Sequence, residues 1–301
     1  MDAEQVERFR QPILRLAEEV PDKYSASFFP YMSSSPAGTE ARNGDKDLVA
    51  TILEQSETAL DSAGQHMKAM SLTLGSPDGV MVVPSYTLAR TVLEACARAA
   101  WVLDPGVTTL ERFSRSLVLL FEDRKSEVAI AKARHGPASA LAKAQDTQWE
   151  GERGKILAKA EDIGVDVRRR ATGGITHIGS QPISTKATAV VKSALDAEEA
   201  YRSLSGLEHQ RTYRQRGMTT RAVRIAGTQQ FKHERSMTEL QYRWLVQSVV
   251  RWYGTATWRS FAYAGYDLNW MAKTLGEAAE IVELPECFWE APEAVVEPFP
   301  E

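Results

Sequence analysis

Two residues in the second half of the chain have the types and the spacing that phosphodiester chemistry needs. Arg202 and His209 lie seven residues apart, close to two helical turns, so a helix through them places both side chains on one face. A guanidinium binds phosphate through a planar fork, and an imidazole exchanges protons near neutral pH. The pair suits metal-independent cleavage, in which His209 moves the proton of the 2′-hydroxyl or leaving oxygen and Arg202 stabilises charge on phosphate.

A second set of charged residues belongs to an apolar helix. Arg90, Glu94 and Arg98 follow one another at intervals of four, which places them on one stripe of that helix. An unpaired buried charge costs on the order of several kcal/mol, so another element must bring polar partners to this stripe. We expect the helix that carries Arg202 to do so. The predicted supporting network consists of Arg90, Glu94, Arg98, Tyr201 and Ser205.

The same residues allow a purely structural interpretation. In that alternative Arg202 pairs with Glu94, and His209 satisfies a helix end or a serine. The protein would then be a non-enzymatic helical interaction module. A small-molecule enzyme with a pocket inside the bundle is a third alternative, for which the sequence holds no diagnostic motif.

Basic residues are concentrated in the middle of the chain. Residues 168–235 contain thirteen Lys and Arg against five Asp and Glu, a net charge of +8, which leaves −12 for the remainder of a chain of net charge −4. This asymmetry favours an anionic partner for the middle segment, although a solvated charged face is the alternative. The candidate RNA contacts are Arg168, Arg169, Arg170, Arg211 and Arg214.

Two stretches of the sequence resemble known helical proteins. Residues 90–105, RTVLEACARAAWVLDP, and residues 201–209, YRSLSGLEH, are similar to an uncharacterised family of actinobacterial helical proteins and, more distantly, to HEPN-type bundles. The HEPN pattern is an arginine, four to six residues and a histidine, and six residues separate Arg202 from His209. Active HEPN enzymes often have Asn, His or Asp after the arginine, where this chain has Ser203.

The resemblance implies a ribonuclease of a toxin–antitoxin, CRISPR or abortive-infection system, with one active site built from two copies in a homodimer. It also implies that the chain could be an RNA-binding relative without activity, because many members of that superfamily are inactive.

Several other classes of protein are disfavoured by composition. The two cysteines, Cys96 and Cys287, are far apart and form neither a disulfide framework nor a metal knuckle. The N-terminus lacks the apolar segment of a secretory signal, and no stretch approaches the roughly 18 apolar residues of a membrane span. We therefore expect a cytoplasmic protein with no cofactor, no metal and no membrane contact.

The hydrophobic periodicity predicts a mainly α fold, a helical bundle with a HEPN-like core, helical extensions and a short irregular or β-hairpin insertion. We predict one helical domain over residues 1–284 and an extended, acidic, proline-rich tail over residues 285–301. The first helix is expected to end at Pro21, and residues 24–44 are expected to form a loop. The predicted core helices span about residues 47–76, 85–103, 108–135, 185–210, with a break near Asp196, and 237–264.

Overall fold

The computed structural model describes residues 3–25, 31–76, 80–208, 219–224, 231–285 and 288–289. Helices dominate this part of the chain, and a short β insertion lies between the sixth and seventh helices. The helices are α1 (Ala3–Ser25), α2 (Pro36–Asn43), α3 (Lys46–Leu74), α4 (Val82–Val102), α5 (Thr109–His135), α6 (Ala140–Asp162), α7 (Ala187–Leu195), α8 (Glu198–Glu208), α9 (Glu239–Ala264) and α10 (Leu268–Val282). The strands are β1 (Val167–Arg169), β2 (Ile175–Ile178), β3 (Gln181–Pro182), β4 (Thr219–Arg224) and β5 (Phe231–Ser236). The prediction of a mainly α bundle with a short β insertion is confirmed.

The helix α4 lies at the centre of the bundle. It packs against α3, α9, α7 and α8, and Ala89, Cys96, Ala97 and Ala100 are fully buried along it. Alanine side chains let neighbouring helices approach closely, which explains why a helix that is apolar on most sides becomes central. Burial raises the pKa of the Cys96 thiol, so this cysteine stays protonated and has a packing role.

The aromatic residues of α9 are buried in the core of the helical bundle. Trp252, Tyr253 and Phe261 are at most 3% exposed. Near the far end of the described chain, Phe288 and Trp289 are also buried, and the Trp289 ring lies 5.9 Å from that of Trp258. These two residues of the predicted tail therefore belong to the packed structure; residues 290–301 lie outside the described part.

Three arginines satisfy the carbonyls at the end of α4. Arg112 Nη1 donates to the carbonyls of Val102 and Asp104 at 3.1 and 2.9 Å. Arg115 and Arg259 donate to the carbonyls of Trp101 and Ala100 at 2.6 and 2.9 Å. The last carbonyls of a helix have no partner within the helix and carry its partial negative charge, so cations stabilise this end.

Two predictions near the N-terminus are wrong. The first helix continues past Pro21 to Ser25, because its apolar face, including Ile13, Leu16 and Val20, is fully buried and this packing outweighs the local effect of proline. The predicted loop of residues 24–44 contains α2, whose first turn is capped by the Ser35 hydroxyl accepting from the Gly38 amide at 3.1 Å.

The β strands of the described residues form two antiparallel sheets. Strands β1, β2 and β3 form an antiparallel sheet in that order, and this sheet packs against α5 and α6. Strands β4 and β5 pair with each other in antiparallel register, with Thr219 opposite Ser236 and Arg224 opposite Phe231. None of the helices in the described residues is both long and apolar enough to cross a membrane.

Candidate functional site

The helix α8 carries the first of the two predicted catalytic residues. The helix α7 ends at Asp196, whose φ of 49° is in the left-handed region, so the predicted helix of residues 185–210 is two helices, α7 and α8. Ser203 and Leu204 are fully buried where α8 packs against α4. The Arg202 side chain is 69% exposed, so it points away from that contact.

Arg202 is held at the surface by one carboxylate. Its Nε and Nη2 donate to Glu198 Oε1 at 3.0 and 2.6 Å. Lys192, at the end of α7, lies 3.1 Å from the other oxygen of Glu198. The hydrogen bonds from Arg202 and Lys192 lower the pKa of Glu198, so this carboxylate stays ionised between two cations.

The second predicted catalytic residue, His209, lies outside the described residues, as do Arg211 and Arg214. Ser205 is half-buried on α8. Ser203, which follows Arg202 where active HEPN enzymes often have a polar partner, is buried, so it does not join Arg202 at the surface.

The predicted polar network joins α4 to α8 through Tyr201. Arg90 Nε donates to Glu94 Oε1 at 3.0 Å, and Arg90 Nη2 donates to the Tyr201 hydroxyl at 3.3 Å. The guanidinium also lies 5.3 Å from the centre of the Tyr201 ring, within the range of a cation–π contact. Glu94 thus pairs with Arg90, and the Arg202–Glu94 pair of the structural alternative is not formed.

The third residue of the stripe, Arg98, finds its partner on α5. Its Nη2 donates to both oxygens of Asp123 at 2.7 Å. Arg98 and Asp123 lie at the edge of a groove of about 220 Å³ between α4, α5 and α7. The groove also contains Glu94, Glu122 and an apolar wall that includes Val190. Its carboxylates pair with Arg90, Lys125 and Arg98 at 3.0, 3.8 and 2.7 Å, so the charges along the groove are matched. The candidate anion site is therefore the more exposed Arg202.

The triple arginine lies on a different part of the molecule. Arg168 and Arg169 are exposed on β1 and pair with Asp166 and Glu161 at 3.5 and 3.4 Å. Arg170 is exposed and has no ion-pair partner among the described residues. The sheet that holds them packs against α5 and α6, whereas α8 packs against α4 and α7. The structure therefore shows two separate exposed groups of cations, one on α7 and α8 and one on β1.

Sequence reasoning missed Lys192 as a neighbour of Arg202. It precedes Glu198 by six residues, a spacing that separates side chains on a continuous helix. The break between α7 and α8 at Asp196 allows it to reach Glu198. In the part of the chain that the structure describes, no cluster of His, Cys, Asp and Glu is arranged to hold a metal ion.

Comparisons of the chain with protein-family models, with curated proteins and with solved structures found no significant match. The function therefore has to be argued from the geometry of the chain itself.

Proposed function

We propose that this protein binds RNA at the exposed face of α8 and cleaves it there without a metal ion, in the manner of a HEPN-like dimer. The observation that supports the proposal best is the position of Arg202. Its guanidinium is at the surface, and among the described residues it pairs with Glu198, which also pairs with Lys192. An arriving phosphate can accept hydrogen bonds from this guanidinium in place of Glu198, with Lys192 as a second nearby cation.

The proposed chemistry uses Arg202 and His209, the two residues whose spacing in the sequence predicts one helix face. Arg202 binds the non-bridging oxygens of the scissile phosphate and stabilises the charge that grows on them. His209 accepts the proton of the 2′-hydroxyl or protonates the leaving 5′-oxygen. The 2′-oxygen–phosphorus bond forms as the 5′-oxygen–phosphorus bond breaks, which leaves a cyclic phosphate and a 5′-hydroxyl.

The test compares the wild type with Arg202→Ala and His209→Ala. We expect a fluorescently labelled single-stranded RNA to bind the wild type at low ionic strength, and Arg202→Ala to weaken binding roughly tenfold, as for one hydrogen-bonded charge. His209→Ala should bind RNA normally and fail to cleave it in the presence of EDTA. The matched control is Arg124→Ala, because Arg124 is also an exposed arginine that pairs with a glutamate, Glu127, at 3.1 Å, on α5.

Two results would contradict the proposal. One is an absence of RNA binding by the wild type at low ionic strength. The other is an equal loss of binding in Arg124→Ala and Arg202→Ala, which would show that only the overall charge matters.

A second candidate function is that of a non-enzymatic interaction module. The observation that favours it is the Arg90–Glu94–Tyr201 network, whose groups satisfy one another inside the protein. In that case Tyr201→Phe and Glu94→Gln lower the free energy of unfolding, and neither the wild type nor any variant binds RNA. Under the RNA proposal the same two variants lose stability but keep RNA binding, so the two measurements together separate the two functions.

A further inference from the structure

The strands β4 and β5 form a two-stranded ribbon that is a sheet of its own. They pair with each other in antiparallel register and, among the described residues, with no other strand. Neither strand packs extensively against a described helix. An isolated two-stranded ribbon is at best marginally stable in water. A partner that covers one face of this ribbon would therefore stabilise it.

The register of the ribbon divides its residues between two faces. Residues directly opposite each other lie on the same face, and successive residues of a strand alternate between the faces. One face holds three pairs, Thr220 with Arg235, Ala222 with His233 and Arg224 with Phe231. The other face holds Thr219 with Ser236, Arg221 with Glu234 and Val223 with Lys232. We call the first of these the basic face.

The basic face carries positive charge and no acidic residue. Arg224 and Arg235 are charged at neutral pH, and His233, whose register position lies between theirs, becomes charged as the pH falls. The one acidic residue of the two strands, Glu234, is on the other face, opposite Arg221. Like charges on one face destabilise a ribbon, and an anionic partner relieves this repulsion.

The spacing of the basic face suits a chain of phosphates. Alternate residues of a strand are about 7 Å apart, so the positions of Arg235, His233 and Arg224 extend over roughly 14 Å of the ribbon. A polyanion that runs along the ribbon can meet all three, whereas a single small anion cannot. Phe231, opposite Arg224, is an aromatic residue on which an unpaired base can stack. This combination favours a single strand, because a double helix keeps its bases stacked on one another.

We propose that the basic face of the ribbon binds single-stranded RNA, with phosphates at Arg224 and Arg235 and a base stacked on Phe231. The inference rests on the proposed function, because it takes RNA as the ligand. It adds a second RNA contact that uses none of the residues of the α8 surface.

The experiment measures the binding of a fluorescently labelled single-stranded RNA to the full chain at several salt concentrations. For a single strand, a plot of log affinity against log salt has a slope of about −0.7 per contacted phosphate. Arg224→Ala and Arg235→Ala should each weaken binding roughly tenfold at low salt and make the slope shallower by about 0.7. Phe231→Ala should weaken binding about tenfold and leave the slope unchanged, because stacking releases no counterions.

The matched control is Arg221→Ala, which removes the same charge from the same strand but on the opposite face. Its affinity and its slope should be those of the wild type. Arg224→Lys keeps the positive charge and should keep the slope. Thermal unfolding should be the same in all these variants, because the ribbon packs extensively against no described helix.

The inference is overturned if Arg221→Ala and Arg224→Ala change the affinity and the slope equally, or if Phe231→Ala binds RNA as the wild type does. Arg202→Ala in the same assay separates this inference from the proposed function. If Arg202→Ala weakens binding and the variants of the basic face do not, only this inference fails. The reverse result supports the ribbon and removes the α8 site. A wild type that binds phosphatidylserine vesicles and no RNA overturns both.

Discussion

Burial separates the roles of two arginines, Arg112 and Arg202. Arg112 is 5% exposed and pairs with Glu40 at 3.2 Å, while its guanidinium also lies 5.0 Å from the centre of the Tyr263 ring. Arg202 is at the surface and pairs with Glu198, its one carboxylate partner among the described residues. Removing one partner of a buried ion pair destabilises the fold strongly, whereas an exposed pair contributes little to stability. Arg112 is therefore structural, and Arg202 is free to act on a ligand at little cost in stability.

Replacing Arg112 should show this difference directly. Arg112→Met removes the donors to Val102, Asp104 and Glu40 and leaves a buried carboxylate, so the free energy of unfolding should fall by about 3–5 kcal/mol. Urea denaturation measures the change. The control Arg124→Met, at an exposed site on the same helix, should cost at most about 1 kcal/mol. Similar losses in the two variants would contradict a structural role for Arg112.

At the scale of elements, the start of α3 is tied to α6 by one carboxylate. Asp45 caps α3 by accepting from the amides of Asp47 and Leu48, each at 3.0 Å, and it also pairs with Lys159 of α6. Burial raises the pKa of Asp45, but the hydrogen bond from Lys159 and the two amides outweigh it, so the pKa is lowered from 3.8. The ionised form is therefore the one that the folded state stabilises.

This shift predicts an acid-sensitive contribution to stability. The contribution is complete above pH 3.8, the ordinary pKa, and is lost as the pH falls through the lower folded pKa. In Asp45→Asn the unfolding free energy should be lower at pH 7 and should fall less steeply as the pH drops below about 4. Urea denaturation at a series of pH values measures this slope, with Asp47→Asn, in the same turn, as the control. An unchanged slope in Asp45→Asn would show that other carboxylates cause the acid sensitivity.

At the scale of the whole molecule, the uneven distribution of charge bears on assembly. The chain has a net charge of −4 although residues 168–235 alone carry +8. Two copies that meet at their α8 faces would bring Arg202 of each near the other, as a HEPN-like site built from two copies requires. The two guanidinium groups would repel each other. Such a site therefore needs the RNA phosphate or the acidic remainder of the chain to offset their repulsion.

The proposed dimer predicts a measurable mass. Light scattering coupled to size-exclusion chromatography should give twice 33.4 kDa for the wild type. Because like charges meet at this interface, the dimer fraction should rise in Arg202→Ala and stay unchanged in Arg124→Ala. A wild-type monomer at high protein concentration would rule out the two-copy site, while leaving RNA binding by a single copy to be tested separately.

Local sequence was enough to determine most of the helices of this protein. The predicted helix of residues 108–135 is α5: the Thr108 hydroxyl accepts from the Glu111 amide at 3.2 Å, and Gly136, just after it, has a φ of 80°. The predicted core helix of residues 85–103 is α4, because a helix that is apolar on most sides has to be buried. Helix caps, helix-breaking residues and hydrophobic periodicity act over a few residues, so they can be recognised in the sequence without knowledge of the fold.

Tertiary structure decided which side chains meet. Tyr201 and Arg202 are adjacent, about 100° apart around α8, and only the packing of α8 against α4 determines that Tyr201 reaches Arg90 while Arg202 points outwards. The continuation of α1 past Pro21 and the approach of Lys192 to Glu198 likewise depend on contacts between distant segments. Such contacts are set by the burial of whole faces, which no single stretch of sequence specifies.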